Sequence, residues 1–235
     1  MFDMEQWIEF AKGPLFAFAF LIMILGLARL IIIQAYSLIT GKGRRLMNAP
    51  WRKIFKDALT WVIPVRHLIP GTKFFSIVSF LFHIGIIIAP LFLADHIVLW
   101  EGFFKVGLPS IGYFLADFLT LFTIACIFIL LGFRFLSGRH RSMSTPMDYT
   151  LLVLIFLPFA TGFLASHPSI NPFPWDVMLL IHLLSAELLF VIIPFTKLAH
   201  IVLFAFDRIS AIHWQLRPGA GDEVAKALYG EEAKV

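Results

Sequence analysis

Cysteine is nearly absent: Cys126 is the sole one in 235 residues. A single thiol excludes a disulfide within the chain. It also excludes a cysteine-ligated iron–sulfur cluster built by this chain alone. Charge is scarce too, at 14% Asp, Glu, Lys and Arg against 60% hydrophobic residues. Mean hydropathy is +0.88. A water-soluble domain of this size has too little interior to hide so much apolar surface, so the solvent for most of the chain is lipid. No phosphate loop, dinucleotide fingerprint or hydrolytic triad is visible, and nothing points to nucleic acid. Internal repeats and low-complexity tracts are missing as well.

What the chain has instead is long apolar runs. A span needs roughly 20 apolar residues. Runs of that size occupy Pro14–Thr40, Phe74–Trp100, Ile111–Leu136, Tyr149–Ser166 and Trp175–Phe206. The first is too long for a signal-peptide core and no Ala-x-Ala-like site follows it, so cleavage is not expected. The expected fold is an all-α membrane protein with five transmembrane helices over residues 1–207. A cytoplasmic tail follows over 208–235, with a short helical pattern at Asp222–Tyr229. Trp61, Trp100 and Trp175 fit interfacial belts, and the 27 Phe residues fit a lipid-facing exterior or the surroundings of a large flat cofactor.

Positive charge gives the orientation. Lys42, Arg44, Arg45, Arg52, Lys53, Lys56, Arg66 and Lys73 fill the loop Gly41–Lys73. Arg139 and Arg141 lie between spans three and four, and Arg208, Arg217, Lys226 and Lys234 lie in the tail. The opposite segments, Met1–Gly13, Glu101–Ser110 and His167–Pro174, carry just Lys12 and Lys105. The positive-inside rule then puts the N-terminus outside and the C-terminus in the cytoplasm. The membrane expected is the cytoplasmic membrane of a prokaryote.

Four histidines fall inside apolar runs: His83 and His96 in the second, His182 and His200 in the fifth. Neutral imidazole is a common iron ligand and a costly group in lipid. Two pairs on two helices suit two haems stacked across a bilayer. Spans two and five run antiparallel, so residues at equal depth share a constant sum of residue numbers. For the pairs His83/His200 and His96/His182 those sums differ by five positions, or roughly 7 Å of helix rise. The swapped pairing mismatches by roughly 46 Å, more than a bilayer thickness. His182 and His200 are about five full turns apart and share a face of one continuous helix. His83 and His96 are about 140° off a common face. Pro90 between them is expected to kink the span and re-aim His96.

The segments Leu81–Ile86, Gly162–Pro168 and Ile193–His200, with the His182/His200 spacing, resemble the dihaem cytochrome b (gamma) subunit of respiratory nitrate reductases. They also resemble the cytochrome b subunits of membrane-bound heterodisulfide reductases and sulfate-reducer redox complexes. The similarity covers all five spans. It implies bis-histidine b haems, with His83 and His200 on an inner iron and His96 and His182 on an outer one. It also implies quinone as the redox substrate. Where that family has its second span-two histidine, ten residues after the first, this chain has Leu93, and His96 takes the place. The lone cysteine then requires an iron–sulfur partner subunit, working with a catalytic subunit of the same complex. The loop Gly41–Lys73 is either its docking surface or a plain product of the positive-inside rule. The terminal substrate and the direction of electron flow belong to other subunits.

Other residues carry paired readings. Arg29 either meets a haem propionate or snorkels to the cytoplasmic face. Lys197, one turn from His200, either lies by the haem or snorkels inward. Gly85 either admits a haem to the backbone or packs helices. Glu187, between the two span-five ligands, either steers protons or accepts a hydrogen bond from a neighbour and stays protonated, since burial disfavours the charged form. Asp95, Asp117 and His167, near the outer face, are quinol proton acceptors or ordinary interfacial groups. His67, His140 and His213 read as surface histidines, with His67 within reach of the inner haem edge. The rival functions are a single-haem anchor, with His96 and His182 unligated, and a non-redox transporter or assembly subunit using Arg29, Glu187 and Asp117.

Overall fold

The structure is a computed structural model that describes residues 3–46, 52, 56, 73–105, 107, 109–204, 206–207 and 219–232. Five helical stretches are long and apolar enough to cross a membrane: Met4–Ser37, Lys73–Phe92, Tyr113–Leu136, Pro146–Ser166 and Trp175–Phe195. The protein is therefore an all-helical, multi-pass membrane protein. Among the described residues β-structure amounts to one isolated bridge, Leu93 to Ile111.

The first helix starts earlier than the apolar pattern suggests. It runs as α1 (Met4–Phe10), a π turn (Ala11–Leu15) and α2 (Phe16–Leu46). A capping box explains the early start: Asp3 Oδ1 accepts from the Gln6 N–H at 2.8 Å, and Gln6 Oε1 accepts from the Asp3 N–H at 3.1 Å. Pro14 falls inside the π turn, whose wider ring accommodates the residue that cannot donate.

The second span is not one kinked helix. It is α3 (Lys73–Phe92) and a separate α4 (Ala94–Phe104), split at Leu93, which is extended at φ −61°, ψ 134°. Pro90 lies inside the last turn of α3, three residues before the break. The freed backbone groups are re-used. The Phe92 carbonyl accepts from Ile111 N–H at 2.8 Å, and the Leu93 carbonyl accepts from Ile97 N–H at 2.9 Å.

Helices α5 (Tyr113–Leu136), α6 (Gly138–Ser142) and α7 (Pro146–Ser166) follow. Thr145 and Asp148 cap α7, with Pro146 at its first turn, where a missing N–H costs nothing. Helix α8 (Trp175–Ile192) does not continue to Phe206 as expected. Around Pro194 the chain passes into short 3-10 turns at Ile193–Phe195 and Lys197–Ala199, with Thr196 extended between them. Proline removes a donor and clashes with the carbonyl four residues back. Thr196 then restarts the chain by accepting from the Leu198 N–H, and helix resumes over 200–204. The face shared by His182 and His200 in an unbroken helix therefore does not exist. The tail helix α9 (Ala220–Tyr229) forms close to its expected place.

The chain divides into two compact units: Met1–Met23 with Leu68–Ile192, and Ile24–His67 with Ile193–Val235. In the first unit α3 packs on α5, α5 on α7, α7 on α8, and α8 on α1 and the π turn. Gly85 sits at the α3–α5 contact, where a Cβ would collide with the Thr123 side chain. In the second unit, a Cβ on Gly26 would meet the Pro194 ring at 2.5 Å, so glycine permits that close approach.

Candidate functional site

The break at Leu93 decides where His96 goes. It ends the hydrogen-bonded ladder of α3 and releases the Pro90 carbonyl, which accepts from His96 Nδ1 at 2.9 Å. His182, in the middle of α8, donates from Nδ1 to the Pro158 carbonyl on α7, also at 2.9 Å. A Cβ on Gly162 would lie 2.9 Å from His182 Cε1 and 3.0 Å from Nδ1, so the imidazole lies against bare backbone of α7. The His96 and His182 rings stand 5.9 Å apart between centroids and 6° from parallel. Two metal–imidazole bonds of about 2 Å, plus the ring radii, also give about 6 Å.

The other two expected ligands are oriented more locally. His83 Nδ1 donates to the Ser79 carbonyl at 2.6 Å, one turn back on α3. His200 Nδ1 donates to the Lys197 carbonyl at 2.8 Å, in the preceding 3-10 turn. His83 belongs to the first unit and His200 to the second. In all four histidines the Nδ1 partner is a carbonyl, which can accept and never donate. Each Nδ1 is therefore the donor, which makes Nε2 the ring nitrogen suited to metal ligation. Outer hydrogen bonds of this kind orient metal-bound histidine. The donor set thus fits axial ligation of haem iron. Among the described residues no cluster of three or more His, Cys, Asp or Glu is arranged for a bare metal ion. A haem needs only two axial side chains from the protein.

Around these rings the remaining candidates separate. Asp95 is exposed in the first turn of α4, where a negative charge suits the helix N-terminus. Arg29 is exposed on α2, and Lys197 is exposed beside His200. Gly85 faces Thr123 rather than open space. Glu187 is 4% exposed, and neither carboxylate oxygen has a hydrogen-bond partner among the described residues. His140 is wedged against Phe75 and Phe133 and bonds Ser137 Oγ, so it is more than a free surface histidine. His67, His213, Trp61 and most of the loop Gly41–Lys73 lie outside the described residues.

Two arrangements had no sequence signal. His167 Nε2 lies 3.3 Å from Asp117 Oδ2, while its Nδ1 donates to the Phe163 carbonyl at 2.8 Å. The pair joins α5 to the end of α7 near the expected outer face, and no spacing relates residues 50 positions apart. Trp100 is not a simple belt residue. Its ring meets Phe16, Phe20 and Phe104 at 5.7–5.9 Å, and its buried Nε1 has no partner among the described residues.

Fold and site together define a class: a multi-pass helical membrane protein with histidines oriented by backbone carbonyls. A curated protein of Nitratidesulfovibrio vulgaris (strain Hildenborough) is 37% identical over 154 residues, covering 65% of this chain and 67% of that protein. The chain belongs to the family of that protein, whose name states no activity. No protein-family model matches the chain, and no solved structure matches it.

Proposed function

We propose that the chain is the membrane-anchor cytochrome b subunit of a respiratory complex in a prokaryotic cytoplasmic membrane. His96 and His182 hold an outer b haem, and His83 and His200 hold an inner one. The observation that carries this reading is the near-parallel pair of His96 and His182 rings at 5.9 Å, each tied back through Nδ1. Bound haem supplies a one-electron carrier. The chain supplies ring orientation through the Pro90, Pro158, Ser79 and Lys197 carbonyls, and clearance for His182 through Gly162.

Electrons pass between a membrane quinone on the outer side and an iron–sulfur subunit on the cytoplasmic side, with a catalytic subunit beyond it. The lone Cys126 supports the need for that partner, because the chain cannot build the cluster itself. The basic loop Gly41–Lys73 is its docking surface. Quinol oxidation leaves protons at the outer face, where His167, Asp117 and Asp95 are available to receive them. Arg29 and Lys197, on the cytoplasmic half, serve the inner haem's propionates.

The test is an oxidised-minus-reduced absorption spectrum of the purified chain with its haem content. A b-type band with about two haems per chain is expected. A chain expressed with ample haem and showing no such band would leave the transporter or assembly reading in its place.

A further inference from the structure

Glu187 stands apart from the histidine pairs. It lies five residues past His182 on α8, about 140° around the axis and roughly 7.5 Å farther along. His182 faces α7, and α8 also packs against α1 and the π turn. One turn farther on, Phe190 meets Phe16 and Phe20 at 5.9 and 6.0 Å. The same two rings meet Trp100, one turn past His96. The carboxyl is thus buried on α8, one turn from this aromatic cluster and on the helix that carries His182.

Among the described residues nothing nearby compensates a charge there. Glu5 and Glu9 on α1 and Lys12 on the π turn are exposed. Helix α7 has Asp148 in its first turn and no other Asp, Glu, Lys, Arg or His, with His167 at its far end. On α8 itself the other ionisable groups are Asp176, in the first turn, and His182. An ionised carboxylate left alone in such a setting is strongly unfavourable, and a neutral carboxylic acid far less so.

We propose that Glu187 is a redox-linked proton carrier, an inference that rests on the haem reading of the His96/His182 site. With that site oxidised, its extra positive charge offsets the Glu187 carboxylate across a medium of low dielectric. When the site gains one electron from quinol, the compensation disappears. Glu187 then takes one proton from water, its carboxylate becoming a carboxylic acid, and the charge change is cancelled. Loss of the electron to the partner subunit returns the proton. Glu187 acts through charge and touches neither the iron nor the quinone.

The test is redox titration of the haem-loaded protein at a series of pH values, read from the b-band absorbance. In wild type the outer component's midpoint potential is expected to fall as pH rises. In Glu187→Gln that slope is lost while the inner component is unchanged. Redox-difference infrared spectra of wild type are expected to show a protonated-carboxyl band appearing on reduction, absent in Glu187→Gln and retained, shifted, in Glu187→Asp. A slope that survives in Glu187→Gln overturns the inference. So does a wild-type spectrum with no carboxyl band, which decides the matter even where the Gln variant fails to assemble. A wild type with no b haem overturns the functional reading instead, so the two failures are distinct.

Discussion

His96 and His182 are held by carbonyls that the fold delivers to them; His83 and His200 are held by carbonyls of their own turns. The His182 partner, Pro158, is 24 residues away on a neighbouring helix. The His96 partner, Pro90, is reached across a helix break. The Ser79 and Lys197 carbonyls lie four and three residues back from their histidines. One pair thus depends on tertiary packing for its orientation, and the other on local backbone. The same Nδ1-to-carbonyl bond therefore has unequal vulnerability: changes in α7 or at the break are expected to reach His96 and His182 and to leave His83 and His200 alone.

The largest expected effect comes from removing a ligand. His182→Ala is expected to abolish the outer haem and lower haem content to about half, leaving the inner band. His83→Ala is expected to give the complementary loss. Pyridine haemochrome content with low-temperature difference spectra checks both. Loss of both haems in His182→Ala would break the comparison, because the inner pair would then depend on the outer.

Gly162→Leu tests packing without touching a ligand. Its side chain would occupy the His182 ring position, since even a Cβ falls 2.9 Å from that ring. Overpacking of this kind forces neighbours out of place. The outer band is expected to be lost nearly as fully as in His182→Ala, with the inner band retained. Gly132→Leu is the control, because a Cβ there meets nothing within 4 Å. An outer band unaffected by Gly162→Leu would mean that α7 does not orient His182.

Much of the fold and part of the site are legible in the sequence, for identifiable reasons. Apolar length marks spans whatever their internal geometry, so all five show. Pairing His96 with His182 needs only their place along two antiparallel spans, and their rings lie 5.9 Å apart. Rotation does not survive a break. A face shared by His182 and His200 requires continuous helix and is lost at Pro194, and the break at Leu93 likewise ends any fixed rotation between His83 and His96. Pro158 shows why prolines alone do not forecast breaks: α7 passes through it intact. The His167–Asp117 contact depends on how α5 and α7 lie together, which no periodicity encodes.

The smallest expected effect sharpens the local half of the comparison. The Ser79 atom that accepts from His83 Nδ1 is the backbone carbonyl, not the hydroxyl. Ser79→Ala keeps that carbonyl and favours the helix slightly, so its effect on stability is expected within about 0.5 kcal/mol. The inner haem's content and potential are expected to be unchanged, measured by redox titration beside wild type. A changed inner haem would show that His83 is oriented by a side chain as well as by its own turn, and the contrast between the pairs would narrow accordingly.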